Sequence, residues 1–414
     1  MIRTLLLLGA TGDLARRYVL PALGRLEQTG RLPDGFRVVG GARTALDDDG
    51  FRRLAGDALR ADRLTYHRVD LADPASLAEA LGERAREPVA AYLALPPSLF
   101  ATTIESLPAA GLAAGSRIVV EKPFGTDLES ARALNAQLAQ TGVDAYRVDH
   151  VLGMENTRTL VELRRRNPVF ERLWNGDAVG EVEILWEETL GLEDRAGYFD
   201  RAGALKDVLQ NHMLQLLALT AMEVPPDEGH LHARKLDALR AARAIPPGRR
   251  ARFAAGTLAD GREVPAYAEE EGVDPGRRTE TFAEVVLEIE SPRWSGTRFV
   301  LRAGKALARQ RKLVLLRFRG GGELELGIDG PEDVVLRLAG GGEEALELRA
   351  PPPSDAVSPY AHVLLDVLSG TSALSVAGEE AEEAWRVVAP VLEAWERGEV
   401  ELEEYPAGSA GPPV

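Results

Sequence analysis

The chain opens with a strand that runs at once into a glycine-rich turn and a helix, and few features restrict a fold so strongly. Arg3 to Leu8 carries an unbroken leucine run, the composition of a central parallel strand covered on both faces. The run breaks at Gly9-Ala10-Thr11-Gly12-Asp13-Leu14-Ala15, and the periodicity predicts a helix to about Gln28. This G-x-x-G-x-x-A spacing is a variant of the dinucleotide fingerprint. Gly9 permits the tight turn, Gly12 lets a pyrophosphate approach the backbone, and Ala15 lets the helix pack on the strand. Gly9, Thr11, Gly12, Asp13 and Leu14 are therefore candidate cofactor-binding residues.

The second strand, Phe36 to Gly40, bears on which dinucleotide fits. A site for NAD usually ends this strand in an acid that binds the ribose 2′-hydroxyl. Here the strand runs into Gly41-Ala42-Arg43-Thr44, and a guanidinium can fork onto a 2′-phosphate. NADP is the expected cofactor, with Arg43 as its reader. Asp47, Asp48 and Asp49 read as the first turn of the next helix. Strands and helices then alternate: a helix near Phe51 to Leu59, a strand at Tyr66 to Val69 and a helix at Pro74 to Leu81. The strand Val89 to Leu95 stops at Pro96-Pro97, and Ser116 to Val120 runs into Glu121-Lys122-Pro123. A helix from Asp127 to Gln140 precedes the strand Asp144 to Val148. Such alternation predicts a doubly wound parallel sheet whose ligands sit at the carboxyl ends of its strands. Gly12, Pro97, Lys122 and Asp149 all fall at such ends.

After His150 the pattern changes. Helices are expected near Asn156 to Arg166, Leu205 to Ala221 and Glu379 to Glu396. Strands fit Ala283 to Ile289, Phe299 to Arg302, Leu313 to Phe318 and Val334 to Leu338. Gly320-Gly321-Gly322 and Gly340-Gly341-Gly342 read as turns, and Pro351-Pro352-Pro353 as a loop. The expected fold class is α/β, a Rossmann sheet followed by an α+β domain with a large antiparallel sheet. The expected domains are 1–149 for NADP, 150–405 for substrate and dimerisation, and 406–414 as a flexible tail. A sheet with one wet face needs cover from helices or a second subunit, so a homo-oligomer, dimer or tetramer, is expected.

Composition removes other classes. The net charge of -16 argues against nucleic acid, which demands a basic footprint. The absence of cysteine excludes disulfides, thiolate metal sites and cysteine nucleophiles, and no metal site is expected. No stretch approaches a membrane span, and a cytoplasmic protein is the expectation.

Two segments place a histidine beside carboxylates: Arg147-Val148-Asp149-His150 and Asp207-Val208-Leu209-Gln210-Asn211-His212. That is the equipment for taking a proton from a sugar hydroxyl. Together with the N-terminal fingerprint, Tyr92-Leu93-Ala94-Leu95-Pro96-Pro97, Glu121-Lys122-Pro123-Phe124-Gly125, Gly197-Tyr198-Phe199-Asp200 and Leu301-Arg302-Ala303-Gly304-Lys305-Ala306-Leu307, they resemble the glucose-6-phosphate dehydrogenase family, in its order and over nearly the whole chain. The resemblance implies oxidation of C1 of a hexopyranose to a lactone, with hydride passing to a nicotinamide. It implies His212 as general base, Asp149 as its orienting partner, and Lys122, before a cis proline, in contact with sugar and cofactor. Pro97 would line the cofactor. Glu188 and Asp207 would accept from ring hydroxyls, Lys305 would donate to the sugar, and His150 would sit at the 6-phosphate.

The chain also departs from the family. Tyr and Lys, the family's phosphate ligands after Asp-His, are Val151 and Met154 here, a basic position after Asp-Leu-Ala is Tyr18, and another past Lys305 is Gln310. The expected reaction is oxidation of glucose or a related hexose with 6-phosphate recognition weakened. The rival is a conventional glucose-6-phosphate dehydrogenase of the pentose phosphate pathway whose phosphate meets other cations, Arg158 foremost. Less favoured are a different Rossmann sugar oxidoreductase and a non-catalytic NADP-binding partner or sensor.

Overall fold

In a computed structural model of the chain, Thr4–Leu8 forms β1, buried along its whole length inside a six-stranded parallel sheet. The structure describes residues 1–329, 333–339, 346–351 and 357–413. The partners of β1 are β2 (Arg37–Ala42), β3 (Leu64–Arg68), β4 (Val89–Leu93), β5 (Arg117–Glu121) and β6 (Asp144–Val148), in the order β3-β2-β1-β4-β5-β6. Helices α1 (Leu20–Gln28), α2 (Asp48–Ala55), α3 (Pro74–Leu81), α4 (Phe100–Ala109) and α5 (Leu128–Gln140) connect them. The order reverses between β1 and β4, and a sheet of this kind opens a ligand crevice at that switch. Leu8 pairs with Gly41 on one side and Leu93 on the other, so the segments that follow leave one sheet edge together. Asp47 caps α2 through Gly50 N at 2.7 Å, as expected of acids that open a helix.

The second unit holds α6 (Glu155–Arg166), α7 (Pro168–Leu173), α8 (Ala196–Ala204), α9 (Leu214–Ala221) and α10 (Leu231–Ala241). Its nine-stranded sheet contains β7 (Val179–Glu187), β8 (Ala242–Ala254), β11 (Phe282–Ile289), β12 (Arg298–Gly304), β13 (Arg311–Phe318), β14 (Glu323–Gly327), β15 (Val334–Leu338), β16 (Leu346–Ala350) and β17 (Glu403–Pro406). The short strands β9 (Gly256–Thr257) and β10 (Glu263–Val264) pair separately. Two pairings of the large sheet are parallel, β7 with β12 and β17 with β8, so the sheet is mixed where antiparallel order alone was expected. The chain between β7 and β12 is long enough for the crossover that a parallel pair requires. β8 passes through Pro246-Pro247-Gly248, and its pairing with β11 shifts register there. Among the described residues no helix is long and apolar enough to cross a membrane.

The chain divides into two compact units, Met1–Met154 with Asp355–Gly378, and Glu155–Ser354 with Glu379–Val414. Two expectations need correction. The substrate domain is not continuous from 150 to 405, because α11 (Pro359–Ser369) belongs with the Rossmann unit. Its Ala361, Val363, Leu364, Val367 and Leu368 join one core with Leu5, Leu7, Leu20 and Leu23, and Ile2 N donates to Leu368 O at 2.7 Å. α12 (Gly378–Glu396) then contributes to the second unit. The segment 406–414 is not a free tail either. Pro406 ends β17, Ala407 is buried, and backbone bonds continue through Ser409. The turn at Gly340-Gly341-Gly342 and residues Pro352 and Pro353 of the proline loop lie outside the described residues.

Candidate active site

In the Rossmann unit the candidate residues gather at the carboxyl edge of the parallel sheet. Gly9 follows β1, Arg43 follows β2, Pro97 lies just past β4, Lys122 follows β5 and Asp149 follows β6. Gly9 has φ +82°, and a Cβ there would stand 2.1 Å from Ala94 O, so only glycine fits. Gly9 N donates to Gly41 O at 2.8 Å and Gly12 N to Gly9 O at 2.9 Å, which folds the turn tightly against the strands. Gly12 and Asp13 are exposed and Thr11 and Leu14 half-buried. The bare backbone and the helix that starts there suit a pyrophosphate. The helix widens into a π-turn at Ala15–Val19, a feature frequent at functional sites. Arg43 is exposed.

Lys122 is half-buried and precedes a cis peptide bond to Pro123. Beside it lies a buried cluster that sequence reasoning did not single out. The Tyr92 hydroxyl donates to Glu121, and Tyr360 bonds to the same carboxylate. Burial, assisted by Asp149, raises the Glu121 carboxyl to about 7. Asp149 is buried and caps the turn His150–Gly153 through Val151 N at 3.1 Å. His150 stacks on Tyr360 at 6.0 Å, and Tyr360 stacks on Tyr18 at 5.2 Å. Val151 is wholly buried and Met154 nearly so.

In the second unit a long helix begins at a kink at Gly203, widens into a π-turn over Leu205–Met213 and continues as α9. This π-turn carries Asp207, Asn211 and His212. Tyr198 reaches Asp207 Oδ1 at 3.4 Å; burial and that carboxylate push its phenol up to about 12. Asn211 Nδ2 donates to Lys206 O and Asp207 O, and its Oδ1 accepts from His212 N at 2.7 Å.

The His212 imidazole is buried and stacks on Trp186, with ring centroids 5.3 Å apart and planes 26° apart. The Lys312 ammonium lies 4.8 Å from the Trp186 ring centroid. Lys312 and Lys305 both hold Glu188, at 3.1 and 2.6 Å, and Lys312 also reaches Asp329 at 2.8 Å. Burial would raise the Glu188 carboxyl, but the two lysines outweigh it and hold it below the usual range. Glu188 and Lys305 are thus brought together with the neighbourhood of His212. Gln310 stands where a family cation was expected, whereas Lys312, two residues on, joins this cluster. Trp186 had no sequence signal, because its partner is set by strand pairing: Trp186 stands opposite Lys312 in the β7–β13 register.

The family model for the glucose-6-phosphate dehydrogenase NAD binding domain matches residues 6–158, and that for the C-terminal domain matches residues 161–338 and 343–414. Glucose-6-phosphate 1-dehydrogenase 2 of Mycobacterium bovis (strain ATCC BAA-935 / AF2122/97) is 36% identical over 471 residues, covering 99% of this chain and 91% of that protein. Glucose-6-phosphate 1-dehydrogenase of Rhizobium meliloti (strain 1021) is 34% identical over 463 residues, covering 98% and 93%. Among solved structures, a glucose-6-phosphate dehydrogenase in complex with its substrate glucose-6-phosphate superposes with a TM-score of 0.89 at 27% identity, covering 99% and 95%.

Proposed function

Because the chain belongs to the glucose-6-phosphate dehydrogenase family, we propose that it oxidises glucose 6-phosphate at C1 to the 1,5-lactone. The family makes it an NADP-dependent sugar 1-dehydrogenase. The observation that supports this sugar is the similarity, along almost the whole chain, to proteins named for that reaction. The C1 hydroxyl gives its proton to His212 while the C1 hydrogen leaves as hydride, so the C1–O bond becomes a carbonyl. The nicotinamide supplies the hydride acceptor when bound. Asp149 sets the tautomer of His212 and steadies the imidazolium. Lys122 bridges sugar and cofactor, Glu188 and Asp207 accept from ring hydroxyls, and Lys305 donates to the sugar. Gly9, Thr11, Gly12, Asp13, Leu14 and Pro97 hold the dinucleotide, and Arg43 reads the 2′-phosphate.

One observation favours a second reading, oxidation of an unphosphorylated hexose. Val151 and Met154 bring neither charge nor donors where the family has a Tyr and a Lys, and a phosphate dianion needs both. The same two side chains are buried, so they do not stand open to leave phosphate oxygens unpaired. His150 and the half-buried Arg158 of α6 then serve the phosphate.

Initial rates on glucose 6-phosphate and glucose, each with NADP and NAD, test the choice. The expected result is a higher specificity constant for the phosphorylated sugar, which falls about tenfold or more in Arg158→Met while that for glucose holds. A higher constant for glucose in the unaltered protein would establish the second reading instead. We assign the chain to a homo-oligomer, with the exposed leucines of β15 and β16 in the contact.

A further inference from the structure

The backbone around Lys305 is clamped from two sides, and we propose that residues 405–409 form a strap that positions this lysine. The inference rests on the reading of Lys305 as a sugar-contacting residue. Gly304-Lys305-Ala306-Leu307-Ala308 turns out of the end of β12. Ala306 has φ +51°, a left-handed conformation that a residue with a Cβ adopts only where its surroundings over-determine it.

One side of the clamp is the segment after β7. Glu188 N donates to Gly304 O at 2.8 Å, Ala306 N to Leu190 O at 2.8 Å, and Leu307 N to Glu188 O at 2.9 Å. The other side is the strap. Gly408 N donates to Ala306 O and Ala308 N to Ser409 O, each at 2.7 Å. The buried Tyr405 hydroxyl donates to Lys305 O at 2.7 Å and lies 2.8 Å from Thr281 Oγ1. Lys305 N in turn donates to Thr281 O at 3.0 Å. Both backbone polar groups of Lys305 are therefore held, one of them by a side chain a hundred residues away.

The strap is itself fixed. Ala407 N donates to Ala254 O at 3.1 Å, and Gly408 has φ +79° with room for no Cβ, which would fall 1.9 Å from Thr257 O. A flexible lysine side chain delivers its ammonium reproducibly only if its Cα is held. The strap supplies that constraint from outside the loop, which makes Tyr405 and Gly408 positioning residues.

The test compares the full chain with Tyr405→Phe, which deletes one hydroxyl, and Gly408→Ala, which drives the strap off Thr257. Initial rates are taken with whichever hexose or hexose 6-phosphate the unaltered chain oxidises fastest, and amide hydrogen exchange is followed over residues 304–308. Tyr405→Phe should raise the KM for the sugar roughly three- to tenfold, the effect of one buried hydrogen bond, with the KM for NADP unchanged. Gly408→Ala should do more, and both should speed exchange at residues 306 and 308. Unchanged sugar KM and unchanged exchange in Tyr405→Phe would overturn the proposal, as would equal rises in both Michaelis constants. Should the unaltered chain oxidise no sugar, the proposed reaction falls, and the exchange data alone decide the strap. If Gly408→Ala fails to fold, Tyr405→Phe decides it.

Discussion

An imidazole proposed as a base, as His212 is, must have its ring held, and one face of His212 is held by Trp186. Lys312 presses on the same indole, and Glu188 ties Lys312 to Lys305. Trp186→Ala would let the ring rotate and admit water. It should lower kcat by about ten- to a hundredfold, while Trp186→Phe recovers most of the loss. His212→Asn should cost more, on the order of 10²- to 10⁴-fold, with cofactor affinity kept. Steady-state kinetics on the three variants check this; an undiminished kcat in Trp186→Ala, with chemistry rate-limiting, would mean that the stack does not orient the base. Lys305 stood in a family motif, and Glu188 was named through the resemblance. The tryptophan and Lys312 were not, because a cation over an indole depends on which residues two strands set opposite each other.

At the scale of the element, the helix bearing His212 is capped by a residue far along the chain. Glu280 Oε1 accepts from Leu205 N at 3.0 Å and Glu280 O from Ala204 N at 3.1 Å. Gly203 lets the carboxylate in, since a Cβ there would lie 2.3 Å from Glu280 Oε1. Burial raises the Glu280 carboxyl from 4.5 to about 7, with Leu205 N, Arg250 and Lys206 opposing. Between these values the folded chain keeps a proton that the unfolded chain has released. The contribution is therefore full below about pH 4.5 and is lost as pH rises toward 7, on the order of 3 kcal/mol. Glu121 shifts in the same direction. Glu280→Gln keeps an acceptor for Leu205 N and removes this titration. The fall in melting temperature from pH 5 to pH 8 should shrink by several degrees relative to the unaltered protein. Parallel melting curves at both pH values would show that this carboxyl does not govern the trend. Helix limits here were legible from periodicity; the cap was not, because its acid stands 75 residues away.

For the whole molecule, the open edge of the large sheet matters most. Leu338, Leu346 and Leu348 are 37, 54 and 52% exposed on β15 and the edge strand β16. Apolar side chains together on a sheet edge mark a contact surface or an aggregation hazard. Glu347 and Arg349, on the same strand, are instead held by ion pairs with Arg337 and Asp333. Sedimentation should show an oligomer for the unaltered chain and a smaller species for the double variant Leu346→Glu with Leu348→Glu. These side chains are exposed enough for charge to leave the fold intact, so identical sedimentation would place the contact elsewhere.

The sequence by itself determined the Rossmann half nearly strand by strand, since leucine runs, the Gly9–Gly12 turn and the prolines at 96, 97 and 123 act within a few residues. It also put Gly9, Arg43, Pro97, Lys122 and Asp149 at the carboxyl ends of those strands, because each motif is short and local. Tertiary structure alone decided that α11 returns to the Rossmann unit, that β7 and β12 run parallel, that β8 tolerates Pro246-Pro247 as an irregularity, and that residues 405–409 lock the Lys305 loop. In each case the deciding partner lies far along the chain. Local propensity is blind to burial and backbone pairing that only the folded chain brings together.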